Sequence, residues 1–139
     1  MTITTVLGFD YGERRIGIAV GQTITGHASP LETITAINQK PDWTKIQKII
    51  QEWRPDALII GIPYHLDGKP SEMTEKAERF GRQLEGRFNL PVKTVNETLS
   101  SYEAERELQK KVKISQHNKQ EIDKMSAAII VQSWLEQNS

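Results

Sequence analysis

"VLGFDYGERRIGIAVG", residues 6–21, is the stretch on which the fold turns. Two apolar runs, VLGF and IGIAV, flank a short polar segment that contains Gly12. Short apolar runs bounded by turn residues read as buried strands. The spacing predicts a tight antiparallel hairpin, with strands over residues 6–9 and 16–20. Asp10 stands where the first strand runs out. A carboxylate in that position can be a turn residue, a helix cap, part of a phosphate loop or a metal ligand.

Working outward, residues 25–34 read as a third strand, with Pro30 marking an edge or a bulge. Trp43, Ile46, Ile49 or Ile50, and Trp53 share one face of a helix that Pro55-Asp56 ends. ALIIGI, residues 57–62, is an unbroken apolar run, the pattern of a strand covered on both sides. A loop with an Asp67-Gly68 turn follows. Met73, Ala77, Phe80, Leu84 and Phe88 then mark the inward face of a second helix. Residues 90–95 read as a strand ending at Asn96-Glu97. A capping box at Ser100 and Glu103 opens a helix to about residue 109, before a basic loop. A second box, Asn118 and Glu121, opens a last helix with Ile122, Met125, Ile129 and Trp134 or Leu135 inward. The order βββαβαβαα predicts an α/β fold: a mixed five-stranded sheet flanked by helices. An antiparallel meander precedes parallel strands joined by right-handed crossovers, and the first strand lies near the centre.

The chain has 139 residues, enough for one domain, expected to span residues 1–139. It contains no cysteine, which excludes disulfides and thiolate metal sites. No apolar run approaches the ~20 residues of a membrane span. The opening MTITTV lacks a basic n-region, so the expectation is a cytoplasmic protein without a membrane partner. The formal net charge is zero. A nucleic-acid surface would therefore require segregated charge, and Arg14, Arg15, Lys110, Lys111, Lys113 and Lys119 are the clustered cations.

Three acids stand out by position. Ligands of open α/β sheets bind outside the carboxyl ends of the strands. Asp10 follows the first strand and Glu97 the last, so parallel strands would bring both to one edge. Asp123 lies early in the last helix, whose next inward positions are Ser126, Ala127 and Ile130, and Ser126, Ala127 and Ala128 are small enough to allow a close approach to the sheet. Converging carboxylates repel unless a cation joins them, and hard oxygen ligands suit Mg²⁺ or Mn²⁺. Two such ions can clamp a phosphodiester for in-line attack. Each acid also has a plainer role: a turn for Asp10, a solvated strand end for Glu97, a complement to the helix N-terminus for Asp123. Neither G-x-x-x-x-G-K-[ST] nor G-x-G-x-x-G occurs, and His27, His65 and His117 lack zinc-ligand spacing. Trp43 and Trp53 read as packing residues.

The chain resembles the YqgF family, also called RuvX. LGFDYGERRIGIAVG matches its opening Asp-x-Gly hairpin, and IIGIPYHLDGKPSEM its strand with Gly-x-Pro and an Asp-Gly loop. VNETLSSYEAE matches its later strand end, and IDKMSAAIIVQSWL its last helix. Asp-x-Gly alone is shared with sugar-kinase and actin-like ATPases; four motifs in order are specific. The resemblance implies an RNase H-like fold and a phosphodiester-hydrolysing nuclease with Asp10, Glu97 and Asp123 as its catalytic, metal-holding acids. It implies RNA as substrate, the 5′ end of the 16S rRNA precursor, with pre-ribosomal particles as partners; the family's older assignment implies branched DNA. Where the family usually has Asp-Glu-Arg, this chain has Asn96-Glu97-Thr98. A missing acid and a missing bidentate Arg motivate a rival reading, a nucleic-acid-binding assembly factor that does not cut. An ATPase is the third, and it would need a second domain. Oligomeric state stays open.

Overall fold

The computed structural model describes residues 3–38, 40–65, 67–97 and 116–138. One mixed sheet holds β1 (Thr5–Asp10), β2 (Arg15–Gln22), β3 (His27–Thr35), β4 (Ala57–Ile62) and β5 (Val92–Asn96). Strands lie in the order β3-β2-β1-β4-β5, which makes β1 central. The first three pair antiparallel, and β1–β4 and β4–β5 pair parallel. The described helices are α1 (Trp43–Trp53), α2 (Glu72–Phe88) and α3 (Gln116–Gln137). The helix expected from Ser100 to about residue 109 and the basic loop at Lys110, Lys111 and Lys113 lie outside the described residues.

Alternation along the strands sends side chains to two cores. Leu7 and Phe9 of β1, with Leu58, Ile60 and Ile62 of β4, pack against Ile46, Ile49 and Ile50 of α1 and Ala77, Phe80 and Leu84 of α2. Val6, Ala57, Ile59 and Val95 pack on the opposite side against Ala127, Ile130, Val131, Trp134 and Leu135 of α3. Covered on both faces, β4 is buried at every residue, which is why its sequence is an unbroken apolar run. At the amino end of the sheet, Asp56 Oδ2 accepts from Thr4 N at 2.8 Å, Thr4 Oγ1 at 2.7 Å and Thr5 N at 3.0 Å. Those bonds hold the Asp56 carboxyl below its usual range and tie the start of β1 to the entry into β4.

Pro30 lies on an edge strand, as expected. The β2–β3 register slips there: Ile18 pairs with Glu32 and Ala19 with Pro30, leaving Leu31 as the extra residue of a bulge. Three expectations for the helices need correction. On α2, Met73 is only half-buried and Thr74 takes the inward place. Thr74 completes a capping box with Ser71, and its hydroxyl donates to the Pro63 carbonyl, fastening the helix to the end of β4. On α3 the helix is already formed at Gln116, so Asn118 lies within it rather than at its cap. Met125 and Ile129, expected inward, are half-buried, while Ser126, Ala127 and Ile130 face the sheet as expected, together with Val131. Small side chains lead because the sheet below is itself stripped of side chains. A Cβ on Gly8 would sit 2.1 Å from Val131 Cγ2, one on Gly17 2.0 Å from the Asp123 carbonyl oxygen, and one on Gly21 2.4 Å from Val131 Cγ1.

Candidate active site

β1, β4 and β5 run in one direction, so their carboxyl ends share an edge. Asp10 is the last residue of β1, and Glu97 directly follows β5. The Glu97 N–H donates to the Ile62 carbonyl at 3.1 Å, so pairing with β4 still fixes its backbone. Two strand spacings, about 9–10 Å, separate β1 from β5. The carboxyls of Asp10 and Glu97 nevertheless share a hydrogen bond. Gly61 of β4, between them on the face towards α3, makes this feasible. A Cβ there would lie 2.9 Å from both Cδ and Oε2 of Glu97 and 2.4 Å from Ile130 Cδ1.

Asp123 arrives from the second turn of α3, and Gly17 admits the helix backbone at that residue. Its charge reaches Asp10, while its own Oδ2 accepts from Arg15 Nε at 2.6 Å. The structure thus brings all three sequence-predicted acids to one edge and adds Arg15 as a partner of Asp123. Arg14 is exposed at the turn.

Burial pushes Asp10 up to about 7, with the Asp123 charge adding to the rise and the Glu97 hydrogen bond opposing it. Burial, then the Asp10 charge and hydrogen bond, push Glu97 up to about 10. Asp123 is raised by burial against the pull of Arg15. Near neutral pH the Asp10–Glu97 pair therefore shares a proton. Glu97 Oε2 is buried and has no hydrogen-bond partner among the described residues.

An all-carboxylate donor set with a displaceable proton and an unused buried acceptor fits a hard divalent cation. As placed, no three His, Cys, Asp or Glu side chains among the described residues converge closely enough to encircle an ion, and Asp123 is engaged by Arg15.

The raised carboxyls carry a pH signature. Their ordinary values are 3.8 and 4.5, so between about pH 4 and the raised values the folded chain holds protons that the unfolded chain has lost. Stability then falls as pH rises across that window. Asp56, held low, has delivered its contribution by pH 5 and adds no opposing slope above it. Melting in EDTA should show a lower midpoint at pH 8 than at pH 5.5, and Mg²⁺ should recover more of it at pH 8. A midpoint flat across that range in EDTA contradicts the shared proton.

Sequence reasoning missed Gly61 and the Arg15–Asp123 pair. A glycine inside an otherwise β-branched and leucine-rich run is a signal of close approach, and GIP at residues 61–63 carried it. Nothing in the sequence points Arg15 at a residue 108 positions away.

The model of the family described as RuvX, Holliday junction resolvase, matches residues 4–137. A protein of Pseudomonas putida strain KT2440, named "Putative pre-16S rRNA nuclease", is 47% identical over 135 residues, covering 96% of each chain. One of the same name from Azotobacter vinelandii is 46% identical over 130 residues, covering 94% of this chain and 92% of its own. Among solved structures, Thermus thermophilus RuvC with a Holliday junction substrate superposes with a TM-score of 0.59 at 15% identity, covering 97% of this chain and 95% of that one. The fowlpox virus resolvase in complex with Holliday junction DNA gives 0.55 at 13%, covering 96% and 98%. Those two likenesses establish the RNase H-like fold. Matched along nearly its whole length by the family model and by relatives of its own size, the chain belongs to the RuvX family.

Proposed function

We propose that this chain is a divalent-metal-dependent nuclease that hydrolyses phosphodiester bonds in structured RNA. Its substrate is the 5′ end of the 16S rRNA precursor, met in the cytoplasm on pre-ribosomal particles. Residues 1–139 act as a single nuclease domain. The observation that carries the reading is the Asp10–Glu97 pair at the carboxyl edge, Glu97 buried and Asp10 half-buried, joined across Gly61, with Asp123 beside it. A structural role does not explain two carboxyls held together at the expense of their ionisation, whereas a cation site does. The names of the relatives support RNA as the substrate.

Asp10, Glu97 and Asp123 would hold Mg²⁺ or Mn²⁺, which when bound lowers the pKa of an attacking water and neutralises charge at the phosphorus. The protein supplies the frame. Glu97 is fixed by its backbone bond to Ile62 and by burial, so its carboxyl keeps one orientation. Arg15, in the strand next to β1, holds Asp123 and places a guanidinium at the edge where a phosphate oxygen would arrive.

The test compares two substrates: a transcript spanning the mature 5′ end of 16S rRNA, and a four-way DNA junction. Mg²⁺-dependent cleavage of the transcript near that end, with the junction intact, is the expected result. Cleavage of the junction alone would overturn the RNA assignment and return the chain to the resolvase activity in its family's description. Binding of both without turnover at any Mg²⁺ or Mn²⁺ concentration would favour the non-cutting assembly factor.

A further inference from the structure

A second concave surface lies on the other side of the sheet. Tyr11 directly follows Asp10 and turns to that side, its ring 4.9 Å from that of Phe80. From Tyr11 and Glu13 a groove of about 520 Å³ runs between the start of α1 and α2 to Arg87. Its cations are Lys40, Lys76, Arg79 and Arg87. Lys76, Arg79, Gln83 and Arg87 are spaced for one stripe along α2, about 16 Å long at ~1.5 Å per residue.

Charge in the groove is only partly compensated. Lys76 pairs with Glu13 and lies 3.5 Å from Glu72, so that lysine and the acid in the wall cancel. Among the described residues, Lys40, Arg79 and Arg87 have no carboxylate in ion-pair range. Three unpaired cations on one face of a chain with zero net charge are the segregation that a polyanion surface requires. Bases are a poorer fit than phosphates. Trp43 is already stacked on Phe80 at 5.6 Å, and the Arg87 guanidinium lies 4.2 Å over its ring.

We propose that this groove binds the sugar–phosphate backbone of a nucleic-acid strand flanking the cut, with Arg79, Arg87 and Lys40 as its phosphate contacts. The inference rests on the nuclease reading above and adds to it the path of the strand: from the carboxylate edge, past Tyr11, along α2. Because the contacts are to phosphate, the groove contributes affinity without sequence preference.

The test measures binding of a labelled structured RNA to the wild-type chain in EDTA, where nothing is cut, at 50 to 300 mM KCl. Arg79→Gln/Arg87→Gln should weaken binding at 100 mM by at least about tenfold. It should also flatten log K against log salt by about 0.7–0.9 per lost phosphate contact. Arg82→Gln/Lys93→Gln, which removes two cations outside the groove, should leave both quantities near wild type. Equal affinity and slope for wild type and the groove variant would overturn the groove while leaving the nuclease reading in place. No binding of RNA or junction by the wild type would instead overturn the nuclease reading. Loss of poly-glutamate binding in the groove variant, with RNA binding unchanged, would reassign the groove to an acidic protein.

Discussion

Asp10→Asn should abolish metal-dependent cleavage and, in the same preparation, raise the melting temperature of the metal-free protein. The fall in cleavage is expected on the order of 10³-fold, the scale set by losing one preorganised group that stabilises transition-state charge. The gain in stability has a separate origin. In the wild type, a half-buried carboxyl at the central strand end lies against the buried Glu97 and feels the charge of Asp123, so the pair keeps a proton near neutral pH. Asn is nearly the same shape, carries no charge, and can donate its amide N–H to the Glu97 carboxylate. The repulsion goes while the hydrogen bond remains. In EDTA at pH 8 the variant should melt several degrees higher, at roughly 3–5 °C per kcal/mol for a domain of this size. At pH 5.5, where the wild-type pair is protonated, the gap should narrow. Adding Mg²⁺ should stabilise the wild type and leave the variant nearly unmoved. Cleavage retained by the variant sinks the assignment of Asp10. A variant that melts lower at pH 8 sinks the electrostatic account of the pair.

Gly61→Ala should cost activity through geometry alone, with every acid still present. The added Cβ meets Glu97 Cδ and Oε2 at 2.9 Å and Ile130 Cδ1 at 2.4 Å. Ile130 can rotate its terminal methyl away. Glu97 has less freedom, because its backbone is bonded to Ile62 and its side chain is buried. It must therefore retreat from Asp10. A displacement of about 1 Å in a catalytic group costs roughly 100-fold in rate, and that is the loss expected here. Overpacking adds about 1–3 kcal/mol of destabilisation. Gly21→Ala separates the two effects. Its Cβ would meet Val131 Cγ1 at 2.4 Å and Leu135 Cδ1 at 3.1 Å, overpacking the same helix away from the acids. That variant should lose comparable stability and, assayed well below its midpoint, keep wild-type turnover. Parallel losses of activity in both variants would show that Gly61 serves packing and not the meeting of the carboxylates.

The strands and helices of this chain are legible because their signals are local. ALIIGI has no polar residue to expose, and β4 is buried at all its positions. Trp43, Ile46, Ile50 and Trp53 recur at helical spacing, and α1 has the expected ends. Where local signals compete, periodicity misleads. Met73 is the more apolar residue but Thr74 points inward, since its hydroxyl satisfies both the helix start and a carbonyl at the end of β4. Asn118 has the composition of a cap, yet the helix extends past it to Gln116.

The acids divide along the same line. From the sequence alone came the fold class, the central hairpin, and three carboxylates at positions that a parallel arrangement would bring to one edge. Their position is readable because a strand's end is a property of a few consecutive residues. Their meeting is not, because it depends on what lies between them. Only the tertiary structure decided that β4 separates β1 from β5, that Gly61 stands at the crossing point without a side chain, and that Arg15 reaches Asp123 from the neighbouring strand. Each of these is a contact between residues far apart in the chain. Packing selects such contacts by the space and charge available, and no window of sequence contains both partners.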